Sequence, residues 1–156
     1  MKKAIIVTGT PGTGKSGFAR KLAKRFGLLH LDVNKIIKER KLTQRYDFKR
    51  KTYVVDERKL AREIIKEIKK SKRTLVIDSH MSQFIPPRYI KMCFVTKTRI
   101  DVLAKRLKKR GYSKSKIQEN LQSEIFDICL NEAIEQKHRI VVIDTTQKNV
   151  LSKIKI

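Results

Sequence analysis

The chain predicts an α/β fold in three layers: a parallel five-stranded sheet with helices on both faces. Short apolar runs at Ala4–Val7, Leu28–Leu31, Thr74–Ile77, Ile90–Val95 and Ile140–Ile143 are bounded by polar or turn-forming residues, as buried strands are. Between them apolar residues recur three or four apart, the period of an amphipathic helix. Each connection is long enough for a right-handed crossover. With 156 residues, 40% of them apolar, a single domain over 1–156 has enough chain to bury a core.

The first strand runs into Gly9-Thr10-Pro11-Gly12-Thr13-Gly14-Lys15-Ser16, which fits the phosphate-binding pattern G-x-x-x-x-G-K-[ST] at every fixed position. A chain that wraps an anion must turn its backbone N–H groups inward, and Gly9, Gly12 and Gly14 do so without steric cost. The helix predicted from Lys15 to Phe26 aims its unpaired amides at the same anion. Lys15 adds a mobile charge for the β and γ phosphates, and the Ser16 hydroxyl is placed to ligate Mg2+. The expected ligand is a nucleoside triphosphate with its metal.

Phe18, Leu22 and Phe26 mark the buried face of that first helix, and Gly27 ends it. Asp32 or Asn34 can cap a second helix reaching about Lys41, after which Leu42 to Val55 holds no period and reads as an irregular, substrate-covering element. Asp56 to Lys70 is helical, with Leu60, Ile64, Ile65 and Ile68 in one stripe. The third strand closes on Asp78, where an acidic side chain reaches the Mg2+ hydration shell in phosphate-loop enzymes. His80, two residues on, points to the same side of an extended chain and can orient a water or an acceptor near the γ-phosphate; a histidine merely packed at a strand end fits equally.

Pro86 and Pro87 enforce a turn before the fourth strand. Thr98 to Asp101 resembles a capping box, opening a helix that carries Leu103 and Leu107 and stops at Gly111. Arg106 and Arg110 share one face of it, placed to grip phosphates, although Lys108 and Lys109 beside them fit a plain solvated face. Tyr112 to Lys137 reads as one long helix, with Ser113 or Ser115 as cap and Ile117, Leu121, Ile125 and Ile128 as its buried stripe. The polar turn Asp144 to Gln147 follows the fifth strand at the sheet edge where open parallel sheets bind ligands, and Val150 to Ile156 is a short closing helix or a frayed tail.

Lys and Arg number 39 against 15 Asp and Glu, a formal charge of +24. Heat-adapted surfaces pair lysine with glutamate, and here the acids are too few, so a polyanionic partner such as nucleic acid is expected. Cys93 and Cys129 lie in apolar stretches far apart and read as reduced core residues; His30, His80 and His138 lack zinc-ligand spacing. No run approaches membrane-spanning length and no signal peptide is read, so no membrane partner and a cytoplasmic location are expected.

Strand, phosphate loop and alternating helices together form a P-loop NTPase pattern of the small nucleoside monophosphate kinase kind. Thr8 to Ser16, then Val76-Ile77-Asp78-Ser79-His80, Arg110-Gly111-Tyr112, Lys116 to Phe126 and Glu132-Ala133 resemble the adenylate kinase isoenzyme 6 family across nearly the whole chain. The resemblance implies a broad-specificity kinase acting on AMP or another nucleoside monophosphate, with ATP and Mg2+, that also hydrolyses ATP. It further implies a role in late small ribosomal subunit maturation, with the eleventh small-subunit ribosomal protein and pre-rRNA as partners.

Carried onto this sequence, the resemblance assigns Gly12, Gly14, Lys15, Ser16 and Gly17 to ATP phosphates and metal, and Asp78 and His80 to the catalytic acidic-histidine element. It makes Arg110 the lid arginine and sets Gln147 and Lys148 near the adenine. Residues 30–53 would bind the monophosphate, through Asp32, Lys35 or Arg45, and residues 108–118 would form a short lid. Ordinary adenylate kinases follow the third-strand Asp with Gly-Phe-Pro-Arg, whose arginine clamps AMP; Ser79-His80-Met81-Ser82 stands here instead. A missing clamp and a minimal lid favour water as a competing acceptor.

Overall fold

Side-chain alternation along the first strand decides the layering. All five residues of β1 (Ala4–Thr8) are buried, because Ala4 and Ile6 face one helical layer while Ile5 and Val7 face the other. The structure is a computed structural model that describes residues 3–50 and 52–156. β1 is followed by α1 (Lys15–Phe26), β2 (Leu29–Asp32), α2 (Val33–Glu39), the pair β3 (Thr43–Asp47) and β4 (Thr52–Val55), and α3 (Glu57–Lys70). Then come β5 (Leu75–Asp78), β6 (Ile90–Lys97), α4 (Ile100–Lys109), α5 (Lys114–Ile125), α6 (Ile128–Glu135) and β7 (Ile140–Asp144).

The expected five-stranded sheet is present, in the order β2-β5-β1-β6-β7 with every pairing parallel. On one face α1 sets Phe18, Ala19, Leu22 and Ala23 against Ile5, Val7, Val76 and Phe94; the Phe18 and Phe94 rings meet edge to face at 5.3 Å. On the other, Val33 and Ile36 of α2, Leu60, Ile64 and Ile68 of α3 and Ala133 of α6 cover Ala4, Ile6, Ile77 and Val95. β1 lies centrally, where successive connections leave in opposite directions, and a crevice opens there at the carboxyl ends of the strands. Register sets Asp32 beside Asp78, Asp78 beside Val7, and Lys97 beside Asp144, so the strand ends form a polar row along that crevice.

The helix starts follow local chemistry. Asp32, not Asn34, caps α2, its carboxylate accepting from the amides of Asn34 at 2.9 Å and Lys35 at 3.2 Å. α2 closes at Glu39, short of Lys41, which adopts φ 51°. Asp56 caps α3 and Ser113 caps α5 in the same manner.

Four expectations are corrected. Leu42 to Val55 is not irregular but an antiparallel hairpin, β3 with β4, whose largely exposed strands gave the sequence no apolar run to read. Thr98 to Asp101 makes no capping box: Arg99 is the cap residue and its side chain bonds Asp101 rather than the helix amides, while Thr98 is drawn into the phosphate loop. Tyr112 to Lys137 is two helices, broken where Asp127 takes a left-handed φ of 53°. The break disrupts the expected stripe, leaving Ile125 58% and Ile128 42% exposed, while Glu124 is buried and ion-paired, with Asp127, to Lys97 at the end of β6. The tail, by contrast, takes the first of its two expected forms, a short closing helix of 3-10 type over Val150–Lys153, and seats Ile154 in the core.

Cys93 is buried and Cys129 half-buried, both as free thiols. Burial pushes the Cys93 pKa up to about 12 and raises that of Cys129. Among the described residues no helix is long and apolar enough to cross a membrane.

Candidate active site

Hydroxyl groups and an arginine hold the phosphate-loop carbonyls in place. Thr13 Oγ1 donates to the Thr10 carbonyl at 2.6 Å and lies 2.8 Å from Thr96 Oγ1. Thr145 Oγ1 donates to the Thr13 carbonyl at 2.7 Å, and Arg106 Nη1 to that of Gly12 at 3.2 Å. Packing leaves no room for side chains at the bends: a Cβ on Gly9 would lie 2.3 Å from Thr96 Oγ1, and one on Gly12 2.8 Å from Leu103 Cδ1, at φ +148° and +91°. α1 then starts at Gly14 with no side-chain cap and no acid in its first turn, so its amides stay open to a ligand.

Two clefts flank this loop. The first, about 540 Å³, is lined by Lys15, Ser16, Arg20, His30, Asp32, Tyr53, Asp78 and His80 among others. The second, about 830 Å³, includes Gly12, Gly14, Gly17, Lys21, Arg25, Arg106, Arg110, Gln147 and Lys148. The residues expected to bind phosphate, metal and base therefore divide between two cavities flanking the loop, with Lys15 and Ser16 on one side and the paired arginines and the β7 turn on the other. Arg106 is half-buried and anchored to the loop, whereas Arg110 is exposed at the helix end.

Electrostatics single out Lys15. Its ammonium donates to the Thr10 carbonyl at 3.2 Å, and burial chiefly, with Arg110 adding repulsion, lowers its pKa to about 8 against the pull of Asp78 and Glu124. Asp78 does not pair with it; its Oδ1 lies 2.6 Å from His30 Nε2, an interaction created by the register of β2 beside β5. His80 keeps an exposed surface at the cleft mouth, and partial desolvation by the walls, followed by the Lys15 charge, holds its pKa below the ordinary value. The ring is thus neutral near pH 7. Gln83 fixes the turn that carries it, donating from Nε2 to the His80 carbonyl and to Glu132 Oε2 at 2.7 Å each while accepting from Thr8 Oγ1 at 2.7 Å.

These groups suit Mg·ATP. A buried cation without a carboxylate partner, beside open helix amides, fits a polyphosphate, and Ser16 with Asp78 supplies the hard oxygen donors that Mg2+ takes. Among the described residues no cluster of three His, Cys, Asp or Glu side chains could hold a metal alone, so phosphate oxygens and water would complete the shell.

Three features escaped the sequence. His30 had been set aside for lack of metal spacing, and nothing local shows that it faces Asp78, 48 positions away. Arg20 lines the first cleft; its place four residues after Ser16, on the same helical face, was the available signal. The Thr13, Thr96, Thr98 and Thr145 hydroxyls form a network that only strand register assembles.

A family described as an AAA domain matches residues 5–127. An adenylate kinase isoenzyme 6 homolog of Schizosaccharomyces pombe is 37% identical over 94% of this chain and 82% of its own length. Its counterpart in Dictyostelium discoideum is 34% identical over 92% and 81%. Among solved structures, a sugar kinase from Janibacter aligns with TM-score 0.65 over 98% of this chain and 92% of its own, at 16% identity. A shikimate kinase from Bacteroides thetaiotaomicron aligns with TM-score 0.57 over 96% and 93%, at 15% identity. At those identities the last two attest the P-loop kinase fold alone, whereas the identity to the curated relatives, sustained over most of both chains, settles the family: this chain belongs to the adenylate kinase isoenzyme 6 family.

Proposed function

We propose that the protein is a nucleoside monophosphate kinase that transfers the γ-phosphoryl group of ATP to AMP or a related acceptor, and that it also hydrolyses ATP. The observation that carries this reading is a cleft on either side of one phosphate loop, Lys15 and Ser16 lining one and Gly12 and Gly14 the other, which gives a donor and an acceptor a place each beside the same loop. In this reading ATP lies along Gly12, Gly14, Gly17, Arg106 and Arg110, with its base toward Gln147 and Lys148. Ser16 and Asp78 hold Mg2+, which when bound neutralises charge on the phosphates. Lys15 and Arg110 stabilise the charge on the moving phosphoryl group, and residues 30–53 and 108–118 act as acceptor element and lid within one domain. Arg20, on the wall of the first cleft, takes the acceptor phosphate in place of the clamp absent after Asp78.

His80 orients the attacking group. Neutral and open to solvent, it serves a water as readily as a nucleotide, which supports ATPase activity beside the kinase. A second reading is favoured by the charge of +24: ATP turnover switches the grip of an assembly factor on the eleventh small-subunit ribosomal protein and pre-rRNA during late small-subunit maturation, with kinase activity incidental. Incubation with ATP and Mg2+, following ADP and free phosphate with and without AMP, separates the two. AMP-dependent ADP with little free phosphate supports the kinase; phosphate release indifferent to AMP but altered by rRNA refutes it in favour of the switch.

A further inference from the structure

Three of the exposed aromatic side chains of this chain are clustered, while a fourth, Phe126, stands apart from them. Tyr46, Phe48 and Tyr53 on the β3–β4 hairpin are 38%, 84% and 62% exposed, and the Tyr46 ring centroid lies 5.0 Å from each of the other two, edge to face. Register explains the cluster: Tyr46 pairs directly with Tyr53, and Phe48 follows two residues later in the chain. Neither strand joins the main sheet, and Phe48 and Tyr53 keep most of their surface open to solvent. Clustered apolar surface of this kind marks an interaction site.

The setting is basic. Residues 41–55 contain Lys41, Arg45, Lys49, Arg50 and Lys51 against a single acid, Asp47. Arg50 reaches Glu119 at 3.8 Å with both side chains about half exposed or more, a weak contact that a phosphate can replace. Arg45 and Lys49 are in no ion pair among the described residues.

We infer that this hairpin docks single-stranded nucleic acid, with unpaired bases against Tyr46 and Phe48 and the backbone phosphates on Arg45, Lys49 and Arg50. The inference rests on the nucleic-acid contact proposed above and gives it a location. Every base offers a π-face to an aromatic platform, and flanking cations supply the rest of the affinity, which is how unspecific single-strand surfaces work. A duplex hides its base faces, and an acidic peptide would satisfy the charge while leaving the rings uncovered. Nucleic acid is therefore the occupant that uses both features.

The test is fluorescence anisotropy of the full chain with a labelled uridine dodecamer over a salt series, with Mg·ATP binding as the folding control. Tyr46→Ser/Phe48→Ser should bind at least roughly thirtyfold more weakly with an unchanged salt slope. Lys49→Ala/Arg50→Ala should flatten the slope of log K against log salt by about 1.4. Equal affinity in the ring variant, or equally tight binding of duplex RNA, overturns the assignment, as does displacement by polyglutamate as effective, charge for charge, as by unlabelled RNA. No binding by the parent chain at low salt removes the nucleic-acid contact itself, whereas binding that ignores the rings removes only its placement on the hairpin.

Discussion

Lys15→Met should make the protein more stable while destroying its ability to bind Mg·ATP. The loop holds the Lys15 ammonium away from water without a carboxylate partner, and its pKa of about 8 against an ordinary 10.5 measures the cost. The gap of about 2.5, at about 1.4 kcal/mol per pKa unit, corresponds to about 3 kcal/mol. Part of the side chain retains accessible surface, so about 2 kcal/mol is the figure to expect. The sign follows from linkage. The folded value lies below the unfolded one, so the unfolded chain binds the proton more tightly between about 8 and 10.5. Stability therefore rises with pH across that window, and the whole penalty applies below it. Met keeps the stem and removes the charge. Urea denaturation at pH 7, in a buffer free of phosphate and sulfate, should show the variant more stable by about 2 kcal/mol, or roughly 6 °C in Tm for a domain of this size. The difference should shrink as pH approaches 10.5. A variant equal to or weaker than the parent at pH 7, or a difference indifferent to pH, refutes the reasoning.

Gly12→Ala should cost at least about 2 kcal/mol and weaken nucleotide binding, because its Cβ would lie 2.8 Å from Leu103 Cδ1 and 2.9 Å from Leu107 Cδ2 at φ +91°; denaturation and calorimetry check both. His80→Ala should slow ATP hydrolysis at least tenfold with little change in ATP affinity. Because the folded pKa of His80 lies below 6.5, the acid limb of hydrolysis in the parent should fall below that value, and a limb above it, or normal hydrolysis by the variant, removes the proposed role. Lys97→Met should destabilise by about 3 kcal/mol or more, since it strands the buried Glu124 carboxylate; Lys97→Met/Glu124→Leu should recover most of the loss in urea denaturation.

The parts legible in the sequence are those whose physics is local. A strand buried on both faces is a run of apolar residues, so Ala4 to Val7 and Leu75 to Ile77 identified themselves, and a loop that wraps phosphate needs its glycines and lysine at fixed spacing. The hairpin lacked such a signal. Its strands bury little, so Thr43 to Asp47 gives no alternation between core and solvent, and its order comes from cross-strand pairs such as Tyr46 with Tyr53. The break between α5 and α6 was hidden for a different reason: Asp127 takes a left-handed conformation that aspartate adopts only occasionally, and the Lys97 ion pair to its side chain lies 30 positions away. That contact also explains the failure of the apolar stripe, because one turn of α5 turns Glu124 inward toward Lys97 and thereby turns Ile125 out.

The candidate site divides along the same line. Lys15, Ser16 and Asp78 sit at strand ends or helix starts, positions that the sequence indexes directly. What holds them does not: His30 meets Asp78 because β2 lies beside β5, and Thr145 supports Thr13 because β7 closes the sheet beyond β6. Parallel sheets place such partners far apart in sequence by construction, since each strand is separated from its neighbour by a crossover. A phosphate loop can therefore be recognised from eight residues, whereas the distant groups that hold its carbonyls become visible only when the strand order is known.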